Sequence, residues 1–345
     1  MAFPAAAVCE SYCPDLSGRA AVPKPLYRLF GATVASDFPF TVMPPLGRGA
    51  ADLALSLSPR TLLPDRPVSH PVYSSSLRDK DGESIGSLYR ESEGEILRFS
   101  GAGDFRVQSD RIDGYIPDWE HGLAELRFLG PVLSYWFERR GLPTFHASAV
   151  SVDGRAVAFV SRHGGGKSGL AAGMIAAGAT LLTDDLLVLE ERDGLWEARP
   201  SYPLMRMWPD EAEHFLGSYS DLPRVQGDSE KRSVAVGEGG FGSFRDVSSP
   251  LACIYLATRV AGTDAVEIQP VSRGEALIEL VRHSFSARLV EAAGLQPARL
   301  DRLARLVRSV PVRRLLYPSG FERLAAVAGE LSAPANFKTS QQTLR

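Results

Sequence analysis

The chain has 345 residues, 44% apolar and 23% charged, with a net charge of −3. That is enough chain for two domains, or one large one, with a buried core, and it carries no basic excess of the kind nucleic-acid binders show. Cys9, Cys13 and Cys253 are too few for a disulfide framework, and no histidine stands near the first pair to complete a zinc site, so the composition points to free thiols in a reducing cytoplasm.

Residues 1–25 are rich in Pro and Ala and read as a loosely ordered leader. Met1–Val8 is short and lacks a basic start, so it is not a secretory signal, and no apolar run approaches the ~18 residues of a spanning helix. Residues 26–118 read as a small β-rich domain. Leu53, Leu55 and Leu57 alternate with Ala54 and Ser56, and Gly101–Asp104 reads as a turn between Ile96–Ser100 and Phe105–Gln108. Residues 119–141 carry apolar residues at helical spacing (Leu123, Leu126, Leu129, Leu133, Trp136, Phe137). This predicts a connecting helix, kinked or split at Pro131 and capped by Gly141.

The second domain spans 142–332. Strands are predicted at Phe145–Val150 and Ala156–Val160 around the Asp153-Gly154 hairpin signal. A helix follows at Lys167–Ala177, then strands at Thr180–Thr183, Leu186–Leu189 and Trp196–Arg199. Glu238–Ser243 reads as a mobile glycine-rich loop. Ile254–Thr258 and Val312–Tyr317 read as strands, and Gly274–His283, Pro297–Ser309 and Phe321–Leu331 as helices. The polar end, 333–345, reads as disordered.

Chemistry concentrates at Ser161-Arg162-His163-Gly164-Gly165-Gly166-Lys167-Ser168, between an apolar strand and an alanine-rich helix. That is the setting of a phosphate loop. Glycines let successive N–H groups curl toward an anion, and the helix start adds its positive end. Lys167 reaches the β- and γ-phosphates of ATP, and Ser168 offers its hydroxyl to Mg²⁺. Ser161 stands where the motif opens with Gly. Asp184 and Asp185 end the next strand, where such domains place metal and catalytic carboxylates. Neighbours in an extended chain point opposite ways, so one faces the γ-phosphate and acceptor and the other faces metal or structure.

These features, together with His146 in its strand, resemble the HPr kinase/phosphorylase superfamily over Leu142–Leu189. The resemblance implies an α/β fold: a phosphate-loop kinase domain of the HPr kinase/PEP carboxykinase type with a mixed sheet, beside a small N-terminal β-rich domain. The segments Phe145–Val150 and Arg206-Met207-Trp208-Pro209-Asp210 are more similar still to HPr-kinase-like proteins of lasso-peptide biosynthesis clusters, and Leu26–Pro39 resembles their opening strand. That likeness implies an ATP- and Mg²⁺-dependent kinase acting on a serine hydroxyl of a precursor peptide. It implies Asp184 as general base, Asp185 as a supporting or metal-site carboxylate beside Ser168, and His146 as a residue that orders the acceptor. Relatives of HPr kinase commonly assemble as homo-oligomers. The family loop usually reads Gly-x-Ser-Gly-x-Gly-Lys-Ser, so Ser161 and His163 depart from it. His163 either crowds the phosphates or adds partial positive charge.

Lys231 and Arg232, in a loop-like stretch, are candidates to clamp the transferring phosphate or form a solvated turn. Arg299, Arg302, Arg305 and Arg308 recur with Leu300, Leu303 and Leu306 on one basic amphipathic helix. Such a helix docks an acidic leader peptide or a neighbouring subunit, or covers the core as a surface helix. Two other readings of the loop remain: a nucleotide-sensing module without transfer, which Ser161 and His163 favour, and reverse phosphorolysis of phosphoserine.

Overall fold

A computed structural model of the chain describes residues 24–47, 49–58, 70–116, 121–162, 164–225 and 229–333. The expected leader and tail lie almost wholly outside these residues, as do Cys9, Cys13 and His163.

The first part of the chain forms one eight-stranded sheet. Its strands are β1 (Leu26–Leu29), β2 (Ala32–Ser36), β3 (Leu53–Ser58), β4 (Tyr73–Ser74), β5 (Ser87–Glu91), β6 (Gly94–Phe99), β7 (Gly103–Val107) and β8 (Arg111–Tyr115). They pair in the order β1-β2-β3-β8-β7-β6-β5-β4, with β3 parallel to both neighbours. The alternation in β3 buries Leu53 and Leu55 against the core. At the turn into β7, Gly103 has φ +112°, and a Cβ there would meet the Tyr115 carbonyl oxygen at 2.3 Å. Only glycine lets β7 start so close to β8.

The connecting segment is α1 (His121–Arg127), a π-helical turn over Phe128–Val132, and α2 (Leu133–Arg139). Pro131 lies inside the π turn. The expected kink is therefore absorbed: the proline has no N–H to leave unpaired, and the wider winding makes room for its ring. Phe128, Leu129, Leu133, Trp136 and Phe137 fill the space between the first sheet and Leu186, Val188 and Tyr202 of the second part. Gly141, at φ +79°, ends the segment as predicted.

The second part runs β9 (Thr144–Val152), β10 (Arg155–Val160), α3 (Lys167–Ala176), β11 (Thr180–Thr183), β12 (Leu186–Arg192), β13 (Leu195–Ala198), β14 (Leu204–Met207), α4 (Pro209–Leu216), β15 (Arg232–Ala235), β16 (Ser249–Val260), β17 (Glu267–Pro270), α5 (Arg273–Arg282), α6 (Ala287–Ala292), α7 (Gln296–Ser309), β18 (Val312–Pro318) and α8 (Leu324–Leu331). Asp153 and Gly154 both take positive φ, the two-residue hairpin predicted between β9 and β10. The sheet is mixed. β16 is parallel to β10 and β18, while β9 is antiparallel to β10, β11 and β12. The run β10-β9-β12-β13-β16 returns to β10 and closes on itself. One face packs Phe145, Val160, Leu187, Trp196 and Ile254 against α5 and α7, and the other packs Phe159 and Tyr255 against α3 and α8. Cys253, on β16, is buried, and burial pushes its thiol up to about 12.

Two expectations are corrected. Glu238–Ser243 is a hydrogen-bonded turn: Gly240 N bonds Gly237 O, Phe241 N bonds Ala235 O, and Leu181 N bonds Ser243 O at 2.8 Å. The arginine helix does not present Arg299 to solvent. Arg299 is 2% exposed, and its Nε donates to both Glu138 oxygens at 3.0 Å while Nη2 donates to Thr144 O. Glu138 Oε1 also accepts from Thr144 N at 2.7 Å. Arg305 pairs with Glu191 at 2.9 Å, and Leu300 is exposed while Leu303 and Leu306 are buried. The buried pair ties α2 to α7 and to the start of β9. Removing one partner strands the other charge in the interior, so Arg299→Ala should lower unfolding free energy by about 3–5 kcal/mol. Urea unfolding checks this, and a loss within experimental error would show the pair to be dispensable.

Candidate functional site

The loop after β10 lies at the C-terminal ends of two parallel strands, β10 and β16, where α/β sheets open a crevice. Gly164 takes φ +74° and Gly166 φ +85°, and Gly166 caps α3. Gly165 has a different constraint: a Cβ there would meet Ser161 Oγ at 2.4 Å and the Arg162 carbonyl at 2.9 Å. The turn therefore needs its glycines for curvature at two positions and for closeness at the third. Ser161 is buried and its hydroxyl donates to the Arg162 carbonyl at 3.2 Å, inside the turn. Lys167 is also buried, with Nζ folded back to within 3.5 Å of the Ser161 carbonyl. Burial pulls its ammonium below the usual lysine range, against the opposing pull of Asp184 and Asp185.

The aspartate doublet sits at a step in strand pairing. β11 pairs with the second half of β9 up to Thr183↔Ala149, and β12 pairs with the first half from Leu186↔His146. Asp185 takes φ +72° to make the step, a conformation Asp tolerates better than most residues. Asp184 turns inward. Its Oδ1 accepts from Ser168 Oγ at 2.9 Å and from Ser148 Oγ at 2.6 Å, and its Oδ2 accepts from Arg206 N at 2.9 Å. Asp185 turns to the cleft, with Oδ1 3.2 Å from His146 Nδ1 and Oδ2 accepting from Arg206 Nη1 at 2.7 Å. Burial pushes the Asp185 carboxyl up, but His146 and Arg206 outweigh it and hold it well below the usual carboxylate range.

A cleft of 320 Å³ gathers His146, Gly164 to Ser168, Asp185 and Lys231. Lys231 Nζ lies 5.4 Å from the Trp208 ring centre, a cation–π contact at the rim. Arg232 is not brought in: it is buried on β15, with its guanidinium over Tyr219 at 5.5 Å. Its neighbour Lys231, just before β15, lines the cleft instead. Arg162 is exposed and lines an adjoining groove. His163 lies outside the described residues.

Several cleft residues escaped the sequence reading. Arg259 Nη2 donates to the Gly164 carbonyl at 2.7 Å, and Tyr317 OH to the Gly165 carbonyl at 3.2 Å. Both come from strand ends far along the chain, and nothing local marks them. Glu211 accepts from Trp208 N at 2.9 Å, and burial pushes its carboxyl up. Ser148 carried a signal, since it repeats at i+2 from His146 and so shares its face of the strand.

The Ser168 hydroxyl and Asp184 carboxylate are hard oxygen donors side by side, a set that suits Mg²⁺. Among the described residues, no group of three or more His, Cys, Asp or Glu would hold a metal unaided, so an ion here would complete its shell with phosphate oxygens and water. No helix among the described residues is long and apolar enough to cross a membrane.

No protein-family model matches the chain, and no curated protein matches it. Among solved structures, it is similar to an HPr(Ser) kinase/phosphatase from Coxiella burnetii at 13% identity, over 55% of this chain and 96% of that one, with a TM-score of 0.28. At that level the likeness carries no argument about what this chain does.

The depressed Asp185 carboxyl gives a pH signature. Stability from its ionisation is complete above the ordinary value of 3.8 and is lost as pH falls through the lower folded value. The gap in melting temperature between the wild type and Asp185→Asn should therefore stay constant from neutral pH to about pH 5 and narrow below about pH 4. A gap unchanged at lower pH would show that the pairing does not stabilise the fold.

Proposed function

We propose that this chain is an ATP-dependent kinase that transfers the γ-phosphate to a hydroxyl of a peptide or protein. The observation that carries this reading is the doublet: Asp184 is bonded to the loop serine, and Asp185 opens into the same cleft as the loop. In this reading the amides of Gly164 to Ser168 and the Lys167 ammonium hold the β- and γ-phosphates. Mg²⁺, when bound at Ser168 and Asp184, would neutralise charge developing on those phosphates. Asp185 takes the proton of the acceptor hydroxyl as its oxygen bonds to the γ-phosphorus and ADP departs. Arg206 and His146 aim Asp185, and Lys231 stands across the cleft from the loop to steady the transferring group.

These roles exchange the two aspartates relative to the resemblance, which implies Asp184 as base and Asp185 at the metal. The contacts favour the exchange because Asp184 is enclosed by Ser148, Ser168 and the Arg206 amide. For the acceptor, the segments Phe145–Val150 and Arg206–Asp210 support a serine of a precursor peptide, such as those of lasso-peptide clusters. One observation favours a second reading, a nucleotide-binding module without transfer: both Asp185 oxygens already have partners, in His146 and Arg206.

The test is transfer from γ-labelled ATP to serine-containing precursor peptides, read by mass spectrometry as a gain of one phosphate. Asp185→Asn should lower transfer by about 10²- to 10⁴-fold with ATP affinity nearly unchanged. Asp184→Asn should weaken the Mg²⁺ dependence of ATP binding, and Lys167→Ala should weaken both binding and transfer. Full transfer by Asp185→Asn would return the base to Asp184. ATP binding with no phosphate on any peptide would leave the second reading.

A further inference from the structure

A second cavity, of 490 Å³, lies at the seam between the β4–β6 end of the first sheet and the segment leading into α6. That volume suits several residues of a peptide. Its apolar walls come from Tyr73, Phe99, Phe285 and Leu289. Its charged groups are Arg127 and Arg288, and no Asp or Glu lines it among the described residues.

Arg127 ends α1, with its guanidinium over the Phe99 ring at 5.5 Å. Its Nε is buried without a hydrogen-bond partner among the described residues. A buried, unpaired guanidinium nitrogen is costly and calls for a reason. No ion pair among the described residues supplies one for this half-buried arginine, whereas the fully buried Arg299 is paired with Glu138. Arg288, across the cavity, donates to Ser76 Oγ at 3.3 Å. Two arginines in an apolar pocket without an acid form a receptor for a carboxylate carried beside an apolar side chain.

The cavity shares a wall with the groove beside the cleft. Ser284 and Phe285 line it and also line the groove that reaches His146 and the loop. The Phe285 ring packs edge-on against His146, with centroids 6.0 Å apart. That groove carries Arg162, Arg259, Arg282 and Arg314, of which Arg282 pairs with Glu279 and Arg314 with Glu275. A polypeptide whose hydroxyl sits at Asp185 would run past His146 and Phe285 over a basic surface into the seam.

We infer that the seam cavity is an anchoring site for the acceptor polypeptide, in which Arg127 and Arg288 bind a carboxylate flanked by apolar side chains. This rests on the kinase reading for the identity of its occupant, and it assigns that acceptor an acidic, apolar stretch next to its phosphorylated hydroxyl.

The test is calorimetric titration of the full chain with the acetylated and amidated peptide Gly-Ser-Phe-Leu-Asp-Gly, and with the counterpart carrying Asn for Asp. The acidic peptide should bind about tenfold more tightly, and Arg127→Gln should remove that preference while ATP affinity stays at the wild-type value. Arg288→Gln should reduce the preference independently, which covers the case that Arg127→Gln does not fold. Equal affinity for the two peptides, no binding at millimolar concentration, or a preference retained in both variants would overturn the assignment. ATP binding in the same wild-type protein separates the two readings: its absence would count against the kinase and leave a measured carboxylate preference standing.

Discussion

One edge of one strand must serve two partners. β9 gives its second half to β11 and its first half to β12, and the chain crosses between them only through Asp184 and Asp185. A plain extended dipeptide would carry β11 on as one strand. The positive φ at Asp185 breaks that continuity, and backbone pairing resumes at once with Leu186 opposite His146. The two carboxylates sit at the step between the two ladders, where Ala147 N still donates to the Asp185 carbonyl, with an α3 serine on one side and a cleft on the other. Arg206 fastens both, its backbone amide on Asp184 and its guanidinium on Asp185. The electrostatics of the cleft follow from this arrangement, since the two carboxylates oppose the effect of burial on the Lys167 ammonium.

The sequence made the loop, the hairpin at Asp153-Gly154 and the cap at Gly141 legible because each is written in adjacent residues. Glycines at required angles, an apolar strand before them and an alanine-rich helix after them are local signals. Most strands of the second part were legible for the same reason, but β14, β15 and β17 were not read at all, and β12 and β16 run well beyond the predicted Leu186–Leu189 and Ile254–Thr258. Opposite facing of the doublet was expected from period two, but it arises from the positive φ at Asp185, which no local pattern announces. The contacts that assign each aspartate a side were not legible either, because they are made by Ser148, Ser168 and Arg206, residues brought together by the pairing of β9 with two partners. Arg259 and Tyr317 were beyond reach for a plainer reason: each meets the loop across a parallel strand pair whose register no local pattern encodes.

The arginine-rich helix shows how a charge pattern misleads. Four arginines at spacing three read as a solvated basic face, but spacing three drifts around a helix of 3.6 residues per turn. Arg299 therefore turns into the interior and Arg305 toward Glu191, while Leu300 is left in solvent. A buried arginine needs a buried acid, and Glu138 lies more than a hundred residues upstream, where it reads as an unremarkable polar position at a helix end. The pair makes the first sheet and the second one mechanical unit through α2 and α7.

The π turn at Phe128–Val132 keeps the rotational phase of that joint. A π turn holds one residue more than an α turn, so it is equivalent to a single-residue insertion in an otherwise continuous helix. Deleting one residue from it would restore regular winding and leave the later side chains of α2 close to their present directions, because the wider turn already absorbs the extra residue. Glu138 would stay on Arg299, and Leu133, Trp136 and Phe137 would stay in the shared core. The π turn is thus the place in this joint where the chain can shorten by one residue without turning α2 out of register.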